Sequence, residues 1–437
     1  MKTLNIGLIG FGTIGSGVVK VLEEKKNELQ QKTNCEFRIR AIADKDISSP
    51  RCVRVSKDVL TKDVHKILDD PEIDVVIELI GGIHPAKEFI INALKNKKDV
   101  ITANKALLAE HGEELFKIAA ENEREILFEA SVCGGIPVIK TLRQNLFADK
   151  IESLSGIVNG TSNYILSKME ENDWEFEEAL AQAKREGIAE ADASLDTQGL
   201  DSRHKIVILA RLIFNANIKL EDIFYQGIEN IKLEDLRYAR EFGYTIKLLA
   251  IAKSFKEGTG GVYVYPALIS EKHLLSKVKG AFNALSLRGD VVGELFFYGK
   301  GAGMLPTASA VISDLAQIPT PHASRHTLIP LRAQAGTGTP HTQKTKLKIK
   351  KIDELEKSYY IRFLAVDQPG VLAAIAKILG EQGVSIASVV QKERKEKEIV
   401  PIVMMTHYAK EKSVQKALAE IDKLPIVKER LVVRIEE

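Results

Sequence analysis

The stretch LNIGLIGFGTIG, residues 4–15, decides how the first part of the chain folds. Leu4, Ile6, Leu8 and Ile9 make a short β-rich run, and Gly10, Gly12 and Gly15 follow it in the spacing GxGxxG. Residues 14–30 then read with helical period, so the glycines stand between a strand and a helix. In that setting Gly10 permits a tight turn, Gly12 lets backbone approach a pyrophosphate, and Gly15 lets the helix close on the strand. The helix N-terminus adds N–H donors and partial positive charge, which suit a phosphate. A dinucleotide site is therefore expected over Gly10, Phe11, Gly12, Thr13, Ile14 and Gly15.

The flanking sequence supports this. EFRIRAIAD (36–44), DVVIEL (74–79), DVITA (99–103) and EILFEA (125–130) are further strand patterns separated by helical ones. Such alternation predicts a Rossmann-type doubly wound parallel sheet with its ligand at the carboxyl ends of the strands. Asp44 ends the second strand, where an acid hydrogen-bonds the ribose hydroxyl of NAD, although it lies farther from Gly15 than the usual ~20 residues. Lys45 and Arg40 stand ready for the 2′-phosphate of NADP instead, so the sequence leaves NAD or NADP open.

At 437 residues the chain has room for about three domains. Lys plus Arg (62) nearly balances Asp plus Glu (60), so no strong overall field favours nucleic acid or anionic lipid, and a small-molecule partner is expected. Cys35, Cys52 and Cys133 are odd in number and form no CxxC pair, which argues against a disulfide framework or structural zinc and fits a reducing cytoplasm. The apolar run at the N-terminus is short and broken by glycine, unlike a signal peptide. No run approaches the ~18 apolar residues of a membrane span.

Four segments are expected: a dinucleotide-binding domain over 1–135, an α+β catalytic, substrate and dimerisation domain over 136–320, a Pro-, Thr-, Gly- and His-rich linker over 321–354, and a small self-contained domain over 355–437. The second begins with a helix in PVIKTLRQNLF and continues through strand-like IESLSGIVNG, helices near 175–185 and 200–214, strand-like GVYVYPALI and LSLRGDVVGELFFYG, and a helix in TASAVISDLAQ. The last reads βαββαβ, the order of the ferredoxin-like fold.

With the glycine loop, the segments IELIGGIHPA, VITANKALLA, EASVCGGIP, GIVNGTSNYIL, GIAEADASLDTQGLDSRHK and YGKGAGMLPTASAVISDL, in this order, make the chain resemble homoserine dehydrogenase. VDQPGVLAAIAKILGEQGVSI resembles an ACT domain, the amino-acid-sensing module of many bacterial members, and the whole looks like the monofunctional form. The resemblance implies NAD(P)-dependent interconversion of aspartate 4-semialdehyde and homoserine, on the route to threonine, methionine and isoleucine.

Asp201 and Lys205 lie four apart at the start of a helix and so share a face. Taken alone, that is a surface ion pair worth ~0.2–0.5 kcal/mol. The resemblance instead implies that Glu190 and Asp201 bind substrate, with Asp196 beside them, and that Lys205 gives and takes the proton. It implies that Lys105, in TANK, belongs to the active site near substrate and cofactor, that Thr161 lines the substrate pocket, and that Thr102, Gly187, Gly301 and Gly303 approach the dinucleotide. NGTSN (159–163) also reads as a helix cap by Thr161 or Ser162, and Asp192 as a capping or solvated carboxylate. His204 falls about 100° around the helix from Lys205 and is read as structural. Ala193 stands where the family usually has proline.

The resemblance further implies a monovalent cation, generally sodium, on main-chain carbonyls at Glu129, Val132, Gly134 and Ile136, threonine as effector around residues 367–372 and 383–388, and a homo-oligomer of dimers or higher. Two alternatives compete. Cys133 would serve as nucleophile in a semialdehyde dehydrogenase, which also needs a nearby base; its glycine turn reads instead as packing. A catalytically idle sensor of dinucleotide and amino acid is the other, against which the set Lys105, Glu190, Asp201 and Lys205 argues.

Overall fold

The computed structural model describes residues 2–255, 258–318, 347–392 and 398–436. The chain forms two compact units, one of residues 1–152, 204–220 and 288–347, the other of 153–203, 221–287 and 348–437.

In the first unit, strands β1 (Lys2–Ile9), β2 (Cys35–Ala43), β3 (Leu60–Thr61), β4 (Val75–Glu78), β5 (Asp99–Thr102) and β6 (Ile126–Leu127) pair in the order β3-β2-β1-β4-β5-β6, all parallel. Val75, Val76 and Ile77 are fully buried, as expected of strands covered on both faces. The order turns back at β1, so the crevice at the carboxyl ends of β1 and β4 is the switch point where such sheets bind ligands. This is the Rossmann sheet the glycine loop predicted, with the two-residue edge strand β3 added.

The helix expected over 14–30 is two: α1 (Thr13–Glu24), which buries Val18, Val19 and Leu22, and α2 (Lys26–Thr33), none of whose residues is fully buried. Only Leu29 of α2 reaches the core that α1 packs on, and it does so half-buried. The helix Met304–Leu315 closes the unit from far along the chain, placing Ala308, Val311 and Leu315 in one core with Val18, Val19 and Leu22. Gly17 permits that approach, since a Cβ there would lie 2.6 Å from Met304 Cγ.

The second unit is built on a mixed sheet in which strands 282–289, 151–157, 244–254, 259–270, 427–436, 359–366, 399–406 and 386–390 pair in that order. The last four are the βαββαβ segment, with helices Val371–Glu381 and Glu411–Ile421, in ferredoxin-like order. Its expected self-containment is corrected by the structure. Strand Val427–Glu436 pairs in parallel with Thr259–Ser270, Ala267 opposite Arg434 and Ile269 opposite Glu436, so one sheet runs through both regions. An otherwise open strand edge is thereby covered.

Two buried ion pairs flank this join. Arg362 donates from Nε to Asp235 Oδ1 at 2.7 Å and from Nη2 to Oδ2 at 3.2 Å, and Tyr360 donates to the same carboxylate at 2.8 Å. Arg434 grips Glu411 through Nε (2.9 Å) and Nη2 (2.5 Å) and reaches Gln226 Oε1 at 3.0 Å.

Helix Leu233–Glu241 and strand Tyr244–Ser254 have no counterpart in the sequence reading. The strand is buried almost continuously and so shows no alternation, and Lys247 interrupts its apolar character. That lysine is buried with its Nζ donating to Asn163 Oδ1 (3.1 Å) and Val278 O (2.6 Å). The strand-like stretch 285–299 divides into Phe282–Gly289 and Gly293–Lys300. Of the linker expected over 321–354, residues 321–346 lie outside the described residues; Lys348–Ile349 pairs with Thr259 and Gly260.

Candidate active site

The glycine loop has the predicted geometry at Gly10 and Gly15. Gly10 takes φ 103° and donates its N–H to Ala43 O at 2.9 Å. A Cβ on Gly15 would sit 2.1 Å from Gly10 O, so only glycine lets α1 close on the turn. Gly12 differs: its φ of −73° suits any residue, and a Cβ there would meet nothing within 4 Å. Internal packing thus gives no reason for a glycine at position 12. Gly15→Ala should therefore cost ~1–3 kcal/mol of stability by overpacking, whereas Gly12→Ala should leave the unfolding midpoint in place and weaken NAD(P)H binding about tenfold, ~1.4 kcal/mol. Thermal unfolding and nicotinamide fluorescence titration check the pair.

Asp44 ends β2 as expected and fastens the loop, its Oδ2 accepting from Phe11 N at 2.5 Å and its Oδ1 from Asp46 N at 2.8 Å. Lys45 beside it is exposed, while the guanidinium of Arg40 is engaged by Asp70 and Glu72.

At the end of β5, buried Thr102 donates to Glu78 Oε2 at 2.7 Å and accepts from Asn104 N at 3.0 Å. Burial pushes the Glu78 carboxyl up. Asn104 caps helix Lys105–Glu121 by accepting from Leu107 N at 3.1 Å. Lys105 is the first residue of that helix and half-buried, where the helix dipole disfavours a cation by ~0.3–1 kcal/mol. Helix stability gives no reason for a lysine there.

The turn after Glu129 places Cys133 (φ 56°) and Gly134 (φ 48°) consecutively in left-handed conformation. A Cβ on Gly134 would lie 2.6 Å from Gly301 O, and Gly135 donates to Lys300 O at 3.1 Å, so the turn is stitched to the loop carrying Gly301 and Gly303. Gly303, at φ 115°, starts helix Met304–Leu315. The buried Glu129 carboxylate accepts from Ile139 N (2.9 Å) and Lys140 N (2.7 Å), a cap that sequence did not suggest. Ile136 O accepts from Val138 N at 2.8 Å, and Val132 is fully buried. Among the described residues no cluster of His, Cys, Asp and Glu side chains could hold a metal ion. Cys133 is buried, 1% exposed, which suits packing rather than nucleophilic attack.

Asp314, also buried, accepts from Glu129 N at 2.9 Å, and burial raises its carboxyl to about 8 from an ordinary 3.8. A carboxyl raised on folding gives stability that is complete below its unfolded value and lost as pH rises through its folded one. Asp314→Asn, which keeps an acceptor for Glu129 N–H, should remove that loss. Its thermal midpoint relative to the parent should rise between about pH 4 and about pH 8; a constant difference would refute the assignment.

Helix Leu200–Phe214 begins where expected and carries Asp201, 6% exposed, in its first turn. Lys205 and His204 follow one turn later, both half-buried. Asp196, in the one-turn helix Ser194–Thr197, shares with Asp201 a hydrogen-bond donor, the Nδ2 of Asn159, at 2.6 and 2.8 Å. The cap of helix Gly160–Asn172 is Asn159 and not Thr161 or Ser162: Asn159 Oδ1 accepts from Ser162 N at 2.8 Å. Thr161 Oγ1 donates to Ile188 O at 3.1 Å and Ser162 Oγ to Asp196 O at 2.8 Å, tying the loop that carries Glu190 and Asp196 to this helix. Glu190 is exposed. Asp192, exposed as a solvated carboxylate would be, also accepts from Ser194 N two residues on at 3.0 Å, ahead of the N-cap Ala193. Gly187, at φ 70°, follows helix Phe176–Arg185, a position that favours glycine without any ligand.

Comparison with known proteins decides what this arrangement belongs to. The model of the family "Homoserine dehydrogenase" matches residues 137–316, that of "Homoserine dehydrogenase, NAD binding domain" residues 10–129, and that of "ACT domain" residues 359–426. The homoserine dehydrogenase of Bacillus subtilis is 39% identical over 98% of this chain and 97% of its own length. The chain belongs to the homoserine dehydrogenase family. The homoserine dehydrogenase of Helicobacter pylori is 40% identical over 98% of this chain and 97% of its own. The crystal structure of a homoserine dehydrogenase from Thiobacillus denitrificans superposes with a TM-score of 0.91 at 40% identity, covering 100% of this chain and 99% of that one. A hyperthermophilic archaeal homoserine dehydrogenase in complex with NADPH matches 73% of this chain and 99% of its own, with TM-score 0.62 and 26% identity. The chain is thus an oxidoreductase of homoserine with an NAD(P)-binding domain and an ACT domain. Among the described residues no helix is long and apolar enough to cross a membrane.

Proposed function

We propose that Lys205 carries the proton in this homoserine dehydrogenase, that Asp201, Asp196 and Glu190 hold the substrate with Thr161, and that Lys105 completes the site. The observation that carries the reading is a carboxylate, Asp201, 6% exposed in the first turn of a helix whose next turn bears Lys205. Asp201 Oδ2 accepts from Asn159 Nδ2 at 2.8 Å, and the ammonium of an α-amino acid is a cation that such a carboxylate suits. In homoserine oxidation neutral Lys205 accepts the hydroxyl proton; in reduction of aspartate 4-semialdehyde its ammonium returns a proton to the carbonyl oxygen. Bound NAD(P) supplies the hydride acceptor or donor at the substrate's C4. The loop of Gly10, Phe11, Gly12, Thr13, Ile14 and Gly15 would hold its pyrophosphate, Asp44 or Lys45 its ribose, and Thr102, Lys105, Gly187, Gly301 and Gly303 the remainder.

We infer a monovalent cation, sodium on the family pattern, at the carbonyls of Glu129, Val132, Gly134 and Ile136; the left-handed turn at Cys133 and Gly134 supports this reading. The ACT domain would take threonine near Gly370, whose φ of 91° opens helix Val371–Glu381. The enzyme would work as a cytoplasmic homo-oligomer, at least a dimer. Nicotinamide absorbance on mixing the protein with homoserine and NAD⁺ or NADP⁺, with and without threonine, tests all of this. Reduction of either dinucleotide is expected and assigns the ribose preference; no reduction with either, nor oxidation of NAD(P)H by the semialdehyde, would end the reading.

A further inference from the structure

Asp196 and Asp201 belong to different helices, yet both side chains meet one residue, Asn159, the first of the NGTSN turn. The orientation of Asn159 is unambiguous: only an amide oxygen accepts from Ser162 N, so the NH₂ group faces the two carboxylates. Each of its two N–H groups serves one of them, at 2.6 Å for Asp196 Oδ1 and 2.8 Å for Asp201 Oδ2. Asn159 itself is 4% exposed and fixed at both ends, so the carboxylates are aligned by a rigid element.

Two carboxylates around one nitrogen repel each other when both are charged. A lysine in place of Asn159 would relieve that repulsion by neutralising the pair and would compete with any cationic ligand. An amide orients both carboxylates and leaves their charge intact. We infer that Asn159 is a positioning residue which holds Asp196 and Asp201 together as a charged acceptor for the ammonium group of the substrate. The inference rests on the reading that these two aspartates bind substrate.

Asn159→Asp and Asn159→Ser both keep an oxygen able to accept the Ser162 N–H, and both lose the amide NH₂; serine's shorter side chain with its single O–H cannot serve both carboxylates. In each variant KM for homoserine should rise at least about tenfold, ~1.4 kcal/mol, with the dissociation constant for NAD(P)H unchanged. In Asn159→Asp the KM should fall back toward that of the parent on acidification, because a protonated carboxyl at this position again donates to a neighbour; Asn159→Ser should show no such recovery. Parental KM across the pH range in both variants would overturn the inference and leave Asn159 a helix cap only. If Asn159→Asp does not fold, the KM of Asn159→Ser decides alone. Asp201→Asn, measured alongside, separates the failures: unchanged KM there brings down the substrate-binding reading, whereas raised KM there with parental KM in the Asn159 variants brings down this inference by itself.

Discussion

Lys205→Ala should lower homoserine turnover by a factor on the order of 10²–10⁴, the usual contribution of a positioned general base. Oxidation must remove the hydroxyl proton as hydride leaves C4, and without the lysine amine that proton has only water to go to. Alanine is the best helix former, so helix Leu200–Phe214 should survive the change with its first turn and Asp201 in place. The dissociation constant for NAD(P)H should therefore stay within about twofold of the parent, a change of less than ~0.5 kcal/mol. The pH profile should change as well. A limb rising with pH, set by the general base, is expected in the parent and should be absent from the variant. Small primary amines should restore part of the rate. Turnover within about threefold of the parent, ~0.7 kcal/mol, would remove Lys205 from the mechanism.

Asp235→Ala should cost ~3–5 kcal/mol, the largest stability loss expected of any single substitution discussed here. Asp235 and Arg362 are both fully buried and bonded through two nitrogens, and Tyr360 and the N–H of Lys232 also donate to the carboxylate. Removing the acid leaves a guanidinium in the interior with its main partner gone, and the desolvation of that charge is then uncompensated. Arg362→Met should cost less, because Tyr360 and Lys232 continue to serve the acid. Replacing both, Asp235→Leu with Arg362→Met, should recover much of the loss, since a packed apolar pair carries no desolvation cost. Urea denaturation followed by the fluorescence of Trp174, the chain's single tryptophan, reads all three. An unchanged midpoint in Asp235→Ala would show that the buried pair contributes nothing. Because Asp235 lies in helix Leu233–Glu241 and Arg362 in strand Tyr359–Val366 of the ACT domain, the same measurement weighs how firmly that domain is built into the sheet.

By itself the sequence determined what depends on neighbours along the chain. The dinucleotide loop was legible because its strand, turn and helix are consecutive and each glycine has a local task. The βαββαβ order of the last domain and the start of helix Leu200–Phe214 were legible for the same reason. Only the tertiary structure decided the rest. Helix Met304–Leu315 joins α1 from nearly three hundred residues away, strand Val427–Glu436 completes a sheet begun at Thr259–Ser270, and Asp235 finds Arg362 across 127 positions. Asn159 reaches Asp196 and Asp201 at separations of 37 and 42. Hydrogen bonds and ion pairs at such separations leave no period or spacing in a single sequence; they exist because the backbone, once folded, brings a donor and an acceptor to within 3 Å where water is excluded and each must find a partner.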